Sequence, residues 1–426
     1  MPTVPRAVFD ALRARVHERC FAPSADDGLP RIGAEVEFLA LDALSRGPVP
    51  VHALDRGLLA LLRRHARIAA WTESRSAYGT PQFVVAGRAT VSFEPGGQIE
   101  IATVACASAS TLIEALETVV APLRVSLARE GVTLVSKGID PCTAIAEVEL
   151  QLRVDRYERM TRYFDRIGPF GARMMRQTAA VQISVDRGPD PAARWRLLND
   201  VAPYLVALFA NSTHYAGADT GHRSYRSHCW RMLDASRTGV AAPSDDPAAE
   251  YTRFALGAAD MMRLTRDGEY RSFGDWAAVG KWTIDGWERH LTTLFPEVRP
   301  RGHFELRSCD AVDPAFYPAL VVFVCGLVYD DEAAREAARL ATGSDGLLVL
   351  AGERGLGDER IARTARSLFA LALEGAVRVG PRYIAPDDVE WAREVYRDLT
   401  ARGMSPGTYL PSGITSRRTP ASAHVI

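Results

Sequence analysis

The sequence predicts an α+β fold in one domain. Three observations carry this. Runs with period-2 alternation read as strands at 31–42, 83–87, 91–103, 174–186 (its second half) and 302–308. Helical periodicities lie between them without strict β-α-β alternation. After residue 331 the pattern turns helical.

In chain order, 6–20 reads as a short helix and Pro23–Pro30 as a loop. In "RIGAEVEFLALD", Gly33, Glu35 and Glu37 share one face and Ala34, Val36 and Phe38 the other. Residues 54–66 read as a helix, and so do 111–129, where Leu112, Leu116, Val119, Val120 and Leu123 recur and Ser110 is the expected N-cap. Gln182, Ser184 and Asp186 share a strand face. Residues 193–210 form a mostly apolar, buried helix. "GHFELRS" puts Glu305 and Arg307 on one face. Ile361, Ala365, Leu368 and Phe369 form a helical stripe, 387–402 a last helix, and 404–426 a mobile tail.

The 51 basic and 52 acidic residues leave a net charge of -1, which argues against a nucleic-acid binder. Six scattered cysteines without a CxxC pair point to a reducing, cytoplasmic setting. The N-terminus does not read as a secretory signal. Ala319–Tyr329, the longest strongly apolar stretch, is too short for the ~20 residues that span a bilayer, so no membrane is expected.

The chemistry concentrates on the strands. "VSFEPGGQIEIAT" (91–103) places Glu94 and Glu100 on an apolar strand interrupted by Pro95, Gly96 and Gly97. That interruption reads as a bulge that lets the two carboxylates converge, with Gln98 beside them. With Glu35, Glu37 and Glu305, three apolar strands carry carboxylates, which is costly without a counter-charge. Hard divalent cations with oxygen ligands supply one, and magnesium beside carboxylates commonly serves a phosphate substrate. There is no P-loop, so a bound ATP would lean on metal and on Arg299, Arg301 and Arg307 of "LFPEVRPRGHFELRS". Cys229 beside His228 in "SHCW", read as strand neighbours on opposite faces, is structural, and His214, His222 and His228 fit no zinc spacing. Trp276, Trp282 and Trp287 read as packing residues.

These segments resemble the glutamate–cysteine ligase family in its plant-type form, which many bacteria share and to which the ergothioneine-pathway ligases are related. The matching stretches are "GAEVEF" (33–38), "SFEPGGQIEIA" (92–102), "MMRQTAAVQISVD" (174–186), "ALFANS" (207–212), "SYRSHCWRMLDASRTG" (224–239) and "HLTTLFPEVRPRGHFELRSCD" (290–310). They follow the family's order over about 30–330. The resemblance implies a single catalytic domain with a glutamine-synthetase-like fold, a curved and largely antiparallel sheet with flanking helices. It implies Glu35, Glu37, Glu94, Glu100 and Glu305 as metal-site carboxylates for two or more Mg²⁺ (Mn²⁺ as substitute). It implies Arg226, Trp230, Gln98 and Arg237 as substrate-binding, Arg299, Arg301 and Gln182 as ATP-side, and Arg307 with Glu305 as catalytic. The expected partners are ATP, glutamate and cysteine, and the expected assembly a monomer or homodimer. "MMRQTAA" and "FELRSCDAVDP" depart from the plant pattern, and the second leans towards the ergothioneine-type enzymes. The expected reaction is ATP-dependent joining of the glutamate side-chain carboxylate to cysteine through γ-glutamyl phosphate. A different acceptor amine, or a sensor that binds without catalysis, is the alternative.

Overall fold

The structure is a computed structural model that describes residues 4–23, 30–239 and 244–408. Among these residues one nine-stranded sheet dominates: β1 (Ile32–Asp42), β2 (Thr72–Arg75), β3 (Pro81–Val85), β4 (Ala89–Phe93), β5 (Ile99–Thr103), β6 (Val132–Val135), β7 (Ala180–Val185), β8 (Val298–Pro300) and β9 (Phe304–Asp310). The order is β8-β9-β7-β1-β5-β4-β3-β2, with β6 on the second half of β1. Every pairing is antiparallel, in agreement with the sequence-based expectation.

Alternation divides this sheet chemically. Ala34, Val36, Phe38, Ile99, Ile101, Val181, Ile183, Phe304 and Leu306 are buried in one apolar core that runs from Leu12 to Leu399. Helix Ala109–Arg129 packs beside β1, β5 and β6, and the apolar helix Pro191–Leu208 beside β8 and β9. The N-cap of the first of these is Ser108, whose side chain accepts from Thr111 N; Ser110, the expected cap, instead donates to Asp388 and accepts from Ala385 N. Burying one face on helices leaves the other free to carry Glu35, Glu37, Glu100, Gln182 and Glu305.

The apolar stretch near 320 forms helix Tyr317–Val328, buried at every residue. It crosses helix Glu359–Val379 where a Cβ on Gly326 would strike Ala372 O, so glycine is required for the close approach. Among the described residues no single helix is long and apolar enough to cross a membrane. Residues 404–408, expected in the tail, are packed: Gly407 N donates to Ala210 O, and Ser405 is buried. The rest of that tail and most of the 23–30 loop lie outside the described residues. All six cysteines are free.

The Pro-Gly-Gly stretch is not a bulge. It is the turn of the β4–β5 hairpin: Glu94 N donates to Gln98 O and Gly97 N to Glu94 O, both at 2.8 Å. Proline at the second turn position is favourable, and Gly97 takes a positive φ of 90°. A Cβ on Gly96 would overlap Arg176 O. Gly96→Ala is therefore expected to cost about 1–3 kcal/mol, read by urea denaturation, because backbone must yield. An unchanged midpoint would show that this turn is not tightly packed.

Candidate active site

Register assembles the polar face. Glu37 is paired with Glu100 across β1 and β5, Glu35 with Gln182 across β1 and β7, and Glu305 with Arg299 across β9 and β8. A register shift between Leu306 and Cys309 brackets Arg307, so the irregularity expected at Pro95 lies on β9 instead.

A chain of hydrogen bonds links the arginine end to the carboxylate end. Arg299 grips Glu305 with two parallel bonds, Nε to Oε2 at 2.6 Å and Nη2 to Oε1 at 3.0 Å. Arg307 Nη1 donates to Glu305 Oε2 at 3.2 Å and to Gln182 Oε1 at 2.6 Å. Gln182 Nε2 then donates to Glu37 Oε1 at 2.9 Å, while Ala180 N donates to Glu37 Oε2 at 2.8 Å. Ser92 Oγ donates to Glu100 Oε1 at 3.0 Å. Arg301, exposed, lies 3.6 Å from Glu305.

Charge is unevenly satisfied. Glu305 is fully buried; burial opposes its ionisation, but Arg299 and Arg307 hold its carboxyl well below the usual range. The other four glutamates keep partial solvent access yet lie deep in the protein. Burial, then Glu100 and Glu305, push Glu35 up to about 7. Burial pushes Glu37 up to about 7 against the pull of Arg226 and Arg307. Burial and then Glu100 raise Glu94 well above the carboxylate range. Burial and then Glu37 raise Glu100.

This donor set fits a divalent cation in chemistry: oxygen ligands, excess negative charge and partial access. Among the described residues no group of three acidic, imidazole or thiol side chains gathers closely enough to hold a metal, and Glu305 has both oxygens on arginine. Among the described residues Glu305 is the anchor of Arg299 and Arg307, whereas Glu35, Glu37, Glu94 and Glu100 have no arginine ion pair.

Residues expected to touch substrate lie deeper. Gln98 donates to Thr178 O at 2.9 Å and accepts from Gly96 N at 3.0 Å, so it braces the hairpin turn. Arg237 is fully buried, with Nε on Asp234, Nη1 on Thr293 O and Nη2 on Ala259 O. Trp230 donates to Phe295 O at 3.1 Å and packs under Arg226, 4.8 Å from its guanidinium. Arg226 itself is buried, donates from Nη2 to Arg307 O at 2.8 Å and lies 3.9 Å from Asp310. Its segment is a helix, Tyr225–Arg231, where "SHCW" read as a strand. Asp310 accepts from Asn211 N, Ser212 Oγ and Ser224 Oγ, and so fixes the start of that helix. Cys229 is fully buried.

Two neighbours escape sequence reasoning. Tyr157 is pushed up first by burial and then by Glu94, and Arg156 is pushed down by burial; Glu94 and Arg299 also act on Arg156. Both begin helix Asp155–Phe164.

Wild type should be less stable than Glu35→Gln above pH ~7 in EDTA and equal to it near pH 4. The folded-state value of Glu35 lies at about 7, above the ~4.3 of an unfolded chain. Its contribution is therefore fully present below the unfolded value and lost as pH rises through about 7. Melting temperatures across pH 4–8 check this; a difference that does not grow with pH contradicts it.

One sheet face carries Glu35, Glu37, Glu100 and Glu305 together with Arg299 and Arg307, a charged surface and not an apolar ligand pocket. The chain belongs to glutamate–cysteine ligase family 2, whose family model matches residues 31–407, and it is accordingly a ligase. It is 33% identical over 399 residues to the glutamate–cysteine ligase EgtA of Mycolicibacterium smegmatis, covering 86% of this chain and 89% of the relative. It is 34% identical over 345 residues to the EgtA of Mycobacterium tuberculosis (strain CDC 1551 / Oshkosh), covering 75% and 76%. The chloroplastic glutamate–cysteine ligase A of Oryza sativa subsp. japonica is 29% identical over 322 residues, covering 71% of this chain and 63% of the relative.

Proposed function

We propose that this chain ligates glutamate through its side-chain carboxylate to the amino group of cysteine, with ATP converted to ADP and phosphate. The observation that carries the reading is the continuous bonding from Arg299 through Glu305, Arg307 and Gln182 to Glu37 on one sheet face. It ties a cationic end suited to phosphate to an anionic end suited to divalent cations. The glutamate–cysteine ligases among the relatives support cysteine as acceptor.

In this reading the glutamate carboxylate attacks the γ-phosphorus of ATP, ADP leaves, and γ-glutamyl phosphate forms. The amine then attacks the acyl carbon and phosphate leaves. Little covalent work falls to the protein. Arg307 is pre-aimed: one Nη1 serves both Gln182 and Glu305, and its guanidinium would stabilise charge on the transferring phosphoryl group. Arg226 and Trp230 hold Arg307 from beneath. Glu35, Glu37, Glu94 and Glu100 would hold Mg²⁺, which neutralises phosphate charge when bound. Phosphate release from ATP plus glutamate, screened across amines with mass spectrometry of the products, tests the reading. Release without a γ-glutamyl product, or only with another amine, rejects cysteine as acceptor.

Arg307→Lys keeps the charge but loses the fork. A fall in kcat on the order of 10² with a small change in ATP KM is expected. A raised KM with normal kcat would mean that Arg307 only binds the ground state.

A further inference from the structure

Helix Asp155–Phe164 follows a segment bonded to the Glu94 turn, and Glu94 acts on Tyr157 in its first turn. Just ahead of it, Gln151 N donates to Pro95 O at 2.7 Å, which ties the helix start to the turn that carries Glu94. Arg156, in the helix's first turn, is anchored in the other direction. Its Nη1 donates to Thr292 Oγ1 and its Nη2 to Thr292 O, both at 2.9 Å. Thr292 belongs to the segment that leads into β8, the strand of Arg299. Tyr78, between β2 and β3, lies over the guanidinium, 5.3 Å from ring centroid to Cζ. Arg156 thus bridges the Glu94 turn and the approach to Arg299.

A guanidinium has five N–H donors, and among the described residues two go to Thr292. Anchored on one edge and covered by a ring, it is held in one orientation with donors to spare. Burial works against its charge, which Glu94 favours and Arg299 opposes, so Arg156 feels both the carboxylate end and the arginine end of the site. A carboxylate offers two oxygens and one charge. A polyphosphate offers several oxygens and several charges over a longer span.

We propose that Arg156 binds the polyphosphate of the nucleotide, opposite Arg299, with Tyr78 and Thr292 fixing its orientation. The assignment rests on the ATP-dependent reading above. It adds a binding group from outside the strands that carry the rest of the site.

The test is equilibrium titration of the full chain with Mg²⁺ and either AMP-PNP, a non-hydrolysable triphosphate analogue, or AMP. Arg156→Gln should weaken AMP-PNP about tenfold or more, with AMP and glutamate changed less than about twofold, and Arg156→Lys should fall between. AMP-PNP affinity within about twofold of wild type in Arg156→Gln overturns the assignment, and so does a loss that falls on glutamate instead. Should Arg156→Gln not fold, Tyr78→Ala decides. Tyr78 is 51% exposed, so its removal spares the core, and it should weaken AMP-PNP about threefold. Unchanged affinity in that variant overturns the proposal. A wild type that binds AMP-PNP but makes no γ-glutamyl product contradicts the proposed function and leaves Arg156 where it is assigned.

Discussion

Glu305→Gln is expected to destabilise the fold by about 3–5 kcal/mol and to stop turnover. The carboxylate is fully buried and accepts two bonds from Arg299 and one from Arg307. An amide of the same shape keeps one acceptor oxygen but no charge. Two deeply placed guanidiniums then face each other without a counter-ion, and breaking a buried pair from one side leaves the partner's desolvation uncompensated. Arg307 would swing away and lose the Gln182 bond that aims it. The sequence alone groups Glu305 with the metal-type carboxylates, for which the isosteric amide would be structurally silent. Its bidentate arginine partner changes that expectation. Denaturant melts and turnover read both halves. A stable, inactive variant would mean that the arginines are held mainly by other contacts.

Glu94→Gln is expected to do the opposite to stability while also abolishing activity. Glu94 lies among Glu100, Glu37 and Glu35, and burial and then Glu100 raise it well above the carboxylate range. At pH 8 in EDTA a neutral amide removes that repulsion and can donate to Glu100. A gain in stability is expected, with neighbouring carboxylates sharing the relief. Turnover at saturating Mg²⁺ should fall by a factor on the order of 10² or more. A variant that is less stable than wild type at pH 8 contradicts the picture of unbalanced negative charge.

The two substitutions separate the kinds of carboxylate that share this face, and the sequence shows only part of the difference. Period-2 alternation put Glu35 and Glu37 together, and Glu305 with Arg307, because a strand has one side-chain geometry and these strands pack one face on helices. The apolar run 91–103, broken by Pro-Gly-Gly, singled out Glu94 and Glu100. What alternation cannot give is pairing. Register puts Arg299 opposite Glu305 and Glu37 opposite Glu100, and long-range contacts decide it. The Pro-Gly-Gly stretch read as an interruption in one strand, since a hairpin turn and a bulge use the same residues. Gln98, Trp230 and Arg237 donate to backbone carbonyls, which no spacing encodes. Arg156 and Tyr157 sit in "RVDRYERM", outside every stretch that matches the family, and only the tertiary fold brings them beside Glu94.

The central claim is that one sheet face activates a carboxylate by phosphorylation. Glutamate labelled with ¹⁸O in its side-chain carboxylate, incubated with ATP, Mg²⁺ and cysteine, tests it most directly. Passage through γ-glutamyl phosphate transfers one ¹⁸O atom to the released phosphate and leaves the other in the product amide, read by mass spectrometry of both. Product formed with unlabelled phosphate, or with the label in AMP, would contradict the account.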